Sequence, residues 1–342
     1  MSRVLPVSED DFRAAATGAE LLRFFVNWAI LAPSGHNTQP WLFRIGERNL
    51  DVLADRTRSL PVVDPHDRAL TISCGAALDH LAVAARRFGR DLAIVEFPGD
   101  DPDCLATVSL AGNVTPTSDD VAMFRAIENR RTTRTRYDER ILPVELRDAC
   151  RQLATEQEAE LTMVMDKRQQ AEIADLVAEG DRIQFKDPGF RRELAAWVRS
   201  RRGATQDGMS GESFGIPDLL SPVGASIIRT FDLGKAVAAG DREKILEATP
   251  LLALISTPGD DRFAWLATGR ALSRVLLKLT ASGATAAFLN QPIEVKELRP
   301  RLQQAIGIDG MPQLLMRFGY GPAMHPTVRR PIENVLVRRV TR

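Results

Sequence analysis

Phosphate is best held by arginine, whose planar guanidinium presents parallel N–H donors to an anion. Arg130-Arg131-Thr132-Thr133-Arg134 sets such cations beside hydroxyls directly after a helical segment. A second basic pair, Arg329-Arg330, precedes Pro331 near the C-terminus. Lys+Arg and Asp+Glu balance at 45 each, so any phosphate binding must come from such local clusters rather than a global field. The remaining feature with chemical content is a turn, LAPSGHNTQPW, from Leu31 to Trp41. Pro33 continues a helix poorly and biases the residue before it to extended geometry. Ser34, Asn37 and Thr38 can bond local backbone, and Gly35 permits a positive φ or a close approach. The turn therefore puts donors and backbone amides where a helix meets a strand, an arrangement able to hold a flat, polar-edged ring. Taken alone, each feature also has a plain reading: a helix-to-strand connection, a solvated basic face, a charged tail.

The elements that must position these groups are legible in outline. Helices are expected over 9–16 and 18–32, the second with an apolar stripe of Leu21, Leu22, Phe25, Trp28, Ala29 and Ala32. Strands follow at about 40–45 and 50–54, a loop over 55–70, a helix over 70–88, and short strands at 92–97 and 105–110. Ser118 can cap the helix carrying Phe124 and Ile127, which delivers the chain to Arg130. Further on come a helix at 144–156 and strands at 160–165, 251–256 and 314–318, with a long helix at 263–282. Residues 179–232 differ in character, mixing a short helix around Trp197 with Gly- and Ser-rich loops. They form an excursion that serves as a lid or an interface arm, since long ordered excursions are often functional.

An internal repeat runs through this outline. Gly75-Ala-Ala-Leu78 returns as Gly269-Arg-Ala-Leu272, and the same spacing carries Gly89 onto Gly283 and Ala93 onto Ala287. Apolar positions follow, although amphipathic helices also resemble one another by chance. The expected division is a first half at 1–116 and a second at 117–342, related by an approximate two-fold.

Composition bounds the partners. A chain of 342 residues, 44% hydrophobic and 26% charged, builds an ample core in roughly two domains. No apolar run reaches the length of a membrane span, and no signal-like segment is present. Cys74, Cys104 and Cys150 are odd in number and distant, and His36, His66, His80 and His325 stand singly, so neither a disulfide framework nor a metal site is expected. The expectation is a cytoplasmic protein with no nucleic-acid, membrane or metal partner.

APSGHNTQPW resembles the APSxxNxQPW signature of the nitroreductase family, and RRTTR resembles the RRSxR motif of the same flavoenzymes. Asn290-Gln291-Pro292-Ile293-Glu294 resembles the segment that passes over the flavin near N5, and VRRP at Val328–Pro331 resembles the late basic pair. The whole pattern, with GYGP and HPTVRRP, is most similar to the Acg-type branch. The resemblance implies an α+β nitroreductase-like fold, with mixed sheets flanked by helices, duplicated in one chain as a pseudo-dimer, active as monomer or homodimer. It implies FMN held by Pro33, Ser34, Gly35, Asn37, Arg130, Thr132, Arg134, Gln291, Pro292, Glu294, Arg329 and Arg330. The front half would supply the turn and the rear half the rest, leaving one complete site. It implies NAD(P)H as transient electron donor and a nitroaromatic, quinone or related small molecule as acceptor, with Arg134 stabilising charge at N1 and C2=O. A flavin-storing protein closed by 179–232, a flavin-free interaction protein, and a tailoring dehydrogenase are the alternatives. His36 is a possible acid or base, though a lone turn histidine more often serves structure.

Overall fold

The computed structural model describes residues 8–200, 203, 205–214 and 217–337. Helix α1 (Glu9–Ala14) leads into α2 (Gly18–Ala29). A reciprocal cap starts α2: the Glu20 amide donates to the Thr17 hydroxyl at 3.2 Å, and the Thr17 amide donates to the Glu20 carboxylate at 2.9 Å. Leu22, Phe25, Trp28 and Ala29 are buried as the periodicity requires, and turn-like bonds carry the chain to Ala32 before Pro33 ends it. A hairpin of β1 (Trp41–Ile45) and β2 (Asn49–Ala54) follows, then α3 (Arg68–Arg87), β3 (Arg90–Glu96), β4 (Cys104–Asn113) and α4 (Ser118–Asn129). Next come α5 (Val144–Thr155) and β5 (Glu160–Val164), and four helices: α6 (Lys167–Lys186), α7 (Pro188–Ala196), α8 (Ser221–Thr230) and α9 (Gly234–Ala248). The chain closes with β6 (Leu251–Thr257), α10 (Arg262–Ala281), β7 (Thr285–Phe288), α11 (Gln291–Glu294), α12 (Arg299–Ile306), β8 (Met311–Gly319) and β9 (Leu336–Val337).

These strands form a mixed sheet, β3-β4-β2-β1-β9, and an antiparallel sheet, β5-β6-β8-β7. Among the described strand pairs, β1 with β9 is the parallel one. The architecture is the expected α+β arrangement. Read from its other end, the second sheet runs β7-β8-β6-β5, the same connectivity as β3-β4-β2-β1, with α3 and α10 at equivalent places. Strand β6 is buried along its whole length because both faces are covered. Leu251, Ala253 and Ile255 pack with α5 and α10, while Leu252 and Leu254 pack with α6 and α12, the period-two alternation of a strand.

Helices α3 and α10 cross at paired glycines. A Cβ on Gly75 would strike the Leu266 carbonyl, and one on Gly269 the Ile72 carbonyl, so the contact is reciprocal between residues of the repeat. One turn on, Ser273 Oγ donates to Asp79 at 2.5 Å, again 194 residues apart, and Arg274 Nε donates to the same buried carboxylate at 2.6 Å. Gly89 and Gly283 end the two helices at φ +73° and +74°, where a side chain would be strained.

The excursion expected over 179–232 is part of a longer insertion, α6 to α9, between β5 and β6. Asp166 caps α6, and Asp187 with Pro188 starts α7, whose helix ends at Ala196, so Trp197 is its C-cap rather than its centre. Phe185, Phe190, Leu194, Ala225 and Ile228 give this insertion a small core of its own. Among the described residues, no helix is long and apolar enough to cross a membrane.

Candidate functional site

The turn between α2 and β1 holds a backbone shape that side chains rarely adopt. His36, Asn37 and Gln39 have φ of +49°, +54° and +53°. Such geometry costs energy and persists where the surroundings over-determine it. Gly35, which could have supplied this freedom, is not among the positive-φ glycines. The constraint comes instead from hydrogen bonds on its neighbours. Asn37 Nδ2 donates to the carbonyls of Gly208 (2.9 Å) and Val328 (3.2 Å), and Asn37 Oδ1 accepts from Arg329 at 3.0 Å. Gln39 donates to the Gln206 carbonyl at 2.8 Å and accepts from the Arg330 amide at 2.8 Å. The turn is therefore clasped between a strap at 206–209 from the insertion and the C-terminal tail.

The run Arg130–Arg134 lies along the free edge of β7, with the Thr133 amide donating to the Ala286 carbonyl at 3.1 Å. The Arg130 side chain is buried and makes no hydrogen bond or ion pair among the described residues; its Nε is fully enclosed. Arg131 reaches the Glu128 carbonyl at the end of α4 (2.8 Å), and Arg329 reaches the Leu31 and Ala32 carbonyls beyond α2 (both 3.2 Å). No carboxylate pairs with Arg130, Arg131, Arg134 or Arg329 among the described residues. Burial, with Arg131 beside it, pushes Arg130 down to about 10; burial, with Arg130 and Arg131 beside it, pushes Arg329 down to about 9. Glu128 acts on Arg131 from a distance, and Asp207 and Glu212 line the same cleft, but like charges gathered with no carboxylate paired to them carry a cost that a bound dianion lowers. The residues therefore fit a phosphate.

A second pole lies at Arg134. Its Nη2 sits 4.0 Å from Met209 Sδ of the strap, and burial lowers its pKa. His36 is its neighbour: burial, reinforced by Arg134, pushes the imidazole down to about 4, so it is neutral at pH 7. His36 Nδ1 is enclosed and has no hydrogen-bond partner among the described residues.

One cleft joins both poles. It brings together Pro33, Ser34 and Asn37 of the turn with Arg130, Thr132, Arg134 and Arg329, seven of the residues that the sequence singles out. Gly35, Gln291, Pro292, Glu294 and Arg330 are not among its lining residues. Gln291 donates to Asp181 on α6 at 3.0 Å, and Glu294 accepts from Gln184 on the same helix at 2.7 Å. Burial raises the Glu294 carboxyl. Arg330 turns to the Gln39 carbonyl (3.0 Å) and Asp55 (3.3 Å), locking the tail on the turn. His36, noted in the sequence only as a possible acid or base, lines the cleft, as do Arg131, Met209 and other residues of the strap. The strap is latched by Asp207, which pairs with Arg58 and with Arg199 (2.9 Å), both cations lying over the Trp197 ring. The sequence marks the strap as part of the Gly- and Ser-rich excursion at 179–232, within which Asp207-Gly208 is a turn pair whose glycine takes φ +78°.

No family model matches the chain. Over 329 residues it is 31% identical to a Mycobacterium tuberculosis protein provisionally named NAD(P)H nitroreductase Rv3131, spanning 93% of this chain and 91% of that one. A second protein of that organism, provisionally named NAD(P)H nitroreductase acg, is 28% identical over 332 residues, spanning 92% of this chain and 95% of that one. In three dimensions the chain aligns with the FMN and NADPH-dependent nitroreductase NfnB from Sphigopyxis sp. strain HMH at a TM-score of 0.43 and 16% identity, covering 64% of this chain and 99% of that one.

Proposed function

The chain belongs to the nitroreductase family, and we propose that it is an FMN-dependent oxidoreductase using NAD(P)H and a nitroaromatic, quinone or related acceptor by a ping-pong mechanism. The observation that carries this reading is the buried Arg130 with the half-buried Arg131 and Arg329 beside it, none of them paired with a carboxylate among the described residues. Bound FMN would supply the electron chemistry, as hydride acceptor from NAD(P)H and as source of reducing equivalents for the acceptor. Arg130, Arg131 and Arg329 hold the phosphate, with Thr132 beside them. Pro33, Ser34 and Asn37 form the facing wall. Arg134 supplies the positive charge that stabilises the N1 and C2=O edge on reduction, through a preorganised interaction needing no rearrangement. Gln291, Pro292 and Glu294, buttressed by α6, shape the backbone that follows β7.

We further propose that the chain is a duplicated unit, 1–116 and 117–342, closed by an approximate two-fold at Gly75 and Gly269. The matching strand order and the reciprocal contacts across α3 and α10 support it. One complete cleft results, because the turn comes from the front half and the cations from the rear.

A second reading, a flavin-holding protein with little turnover, is favoured by the strap, which lines the cleft and is bonded to Asn37. Anaerobic titration of the purified yellow protein with NADH and NADPH separates the two. Rapid bleaching is expected; a flavin that stays oxidised selects the storage reading, and a colourless protein that ignores added FMN overturns both.

A further inference from the structure

Behind the cleft lies a brace of buried groups that the proposed reaction does not use. Arg134 lines the cleft, and among the described residues no oxygen accepts from its guanidinium, whose contact is Met209 Sδ at 4.0 Å. The backbone must therefore set its aim. Both carbonyls that flank Arg134 go to one side chain of β8: Arg317 Nη2 donates to Thr135 at 2.6 Å and to Thr133 at 3.4 Å. The Tyr137 hydroxyl donates to the same Thr133 carbonyl at 2.9 Å, and the Arg317 guanidinium lies 4.1 Å from the centre of the Tyr137 ring. Gly319 and Gly321, of the GYGP stretch that leaves β8, make room for that ring. A Cβ on Gly319 would stand 2.6 Å from Tyr137 Cδ2, and one on Gly321 3.0 Å from Cδ1.

Arg317 is 2% exposed, pairs with no carboxylate among the described residues, and leaves Nη1 enclosed without a partner. For packing alone this is a poor choice, because a buried cation without a counter-ion costs more than an apolar side chain of its size. What it provides is geometry. Thr133 is buried while Thr132 and Arg134 line the cleft, the alternation of an extended run, and a planar donor fixes the peptide on each side of Arg134. Resting on the FMN reading above, we infer that Arg317 is a positioning residue for the reaction: by gripping the carbonyls of Thr133 and Thr135, with Tyr137 against it, it holds Arg134 in the orientation that its role at the N1 and C2=O edge requires. Negative charge that develops there on reduction meets a preset donor, so the brace favours reduced over oxidised flavin through Arg134.

The test measures FMN affinity and the two-electron midpoint potential of the loaded full chain. The proteins are the wild type, Arg134→Met, Arg317→Met, Arg317→Lys, Tyr137→Phe and the double variant Arg134→Met with Arg317→Met. Arg317→Met is expected to lower the preference for reduced over oxidised flavin about tenfold, a potential lower by about 30 mV, with affinity for oxidised FMN unchanged. Arg317→Lys, which keeps a donor for the carbonyls, should recover most of that shift, and Tyr137→Phe should show a smaller one of the same sign. Added to Arg134→Met, Arg317→Met should change nothing further, because a residue that acts through another is silent once that other is gone. An unchanged potential in Arg317→Met, or in Tyr137→Phe should Arg317→Met not fold, overturns the assignment. So does a shift that persists in full beside Arg134→Met, which would make Arg317 act on the flavin directly. A wild type that takes no FMN, or an Arg134→Met potential equal to that of the wild type, is the failure of the underlying reading; it is seen before any Arg317 variant is compared, and the inference falls with it.

Discussion

Arg130 has a burial that its sequence neighbours do not explain and, among the described residues, no partner to offset it. Replacing it with Met removes an uncompensated buried charge, so the apoprotein's melting temperature should hold or rise, while FMN affinity should fall about 10- to 100-fold, from roughly 1.5–3 kcal/mol for hydrogen bonds to a charged group. Fluorescence titration of FMN beside a melting curve reads both; unchanged affinity would remove Arg130 from the site. His80 on α3 shows the opposite economy, a titratable ring kept neutral. Its Nδ1 lies 3.2 Å from the Trp28 carbonyl, and burial, with Arg130 nearby, pushes it down to about 3. An unfolded histidine titrates near 6.5, so below that pH the unfolded chain binds a proton that the folded one refuses. Stability therefore falls as pH drops from 6.5, by about 1.4 kcal/mol per pH unit for each such histidine. His36 adds its share down to about 4. Urea midpoints should be flat from pH 8 to 7 and decline below 6.5, less steeply in His80→Gln; equal slopes in the two proteins would contradict this account.

At the scale of elements, the crossing of α3 and α10 is the tightest constraint. Gly269→Ala would force a methyl group into the Ile72 carbonyl and push the helices apart, for a cost of about 1–3 kcal/mol. Gly240 is the control. It lies within α9 with open space around it, so Gly240→Ala should stabilise by roughly 0.5–1 kcal/mol through helix propensity alone. Denaturant unfolding of the two variants should give changes of opposite sign; a neutral Gly269→Ala would mean that the helices tolerate separation. The insertion α6–α9 acts on the same scale. Glu193 accepts from the amides of Val62 (2.9 Å) and Val63 (3.0 Å), so α7 is bonded to the loop after β2 as well as to the turn through its strap.

For the whole molecule, the cleft draws residues from the turn at 33–37, the run at 130–134 and the tail at 329, while β9 of the tail completes the sheet containing β1. Ligand binding therefore couples distant stretches of chain. FMN at 100 times its Kd should stabilise the fold by about 2.7 kcal/mol, and unfolding should remain one transition. Near-ultraviolet dichroism reports Trp28 and Trp41 near the turn and Trp265 on α10. Two separated transitions, of which FMN moves only one, would show that the cleft belongs to a single part of the chain.

Hydrophobic periodicity was enough to read α2, α3, α5, α10 and the main strands within a few residues, because apolar burial repeats at 3.6 or 2 along the chain itself. The spacing of Gly75 and Gly269 was legible for the same reason, as was the polar character of the turn and of the arginine run. Other facts depend on contacts between residues far apart in sequence, which no local pattern encodes. The positive φ of His36, Asn37 and Gln39 comes from bonds to Gly208, Gln206 and the tail. The turning of Gln291 and Glu294 onto α6, the strap across the cleft and the pairing of β9 with β1 arise in the same way. Residue types alone determined that cations and a donor-rich turn exist; tertiary packing decided which of them share one cleft, because residues as distant in sequence as Asn37, Arg130 and Arg329 meet only through long-range contacts.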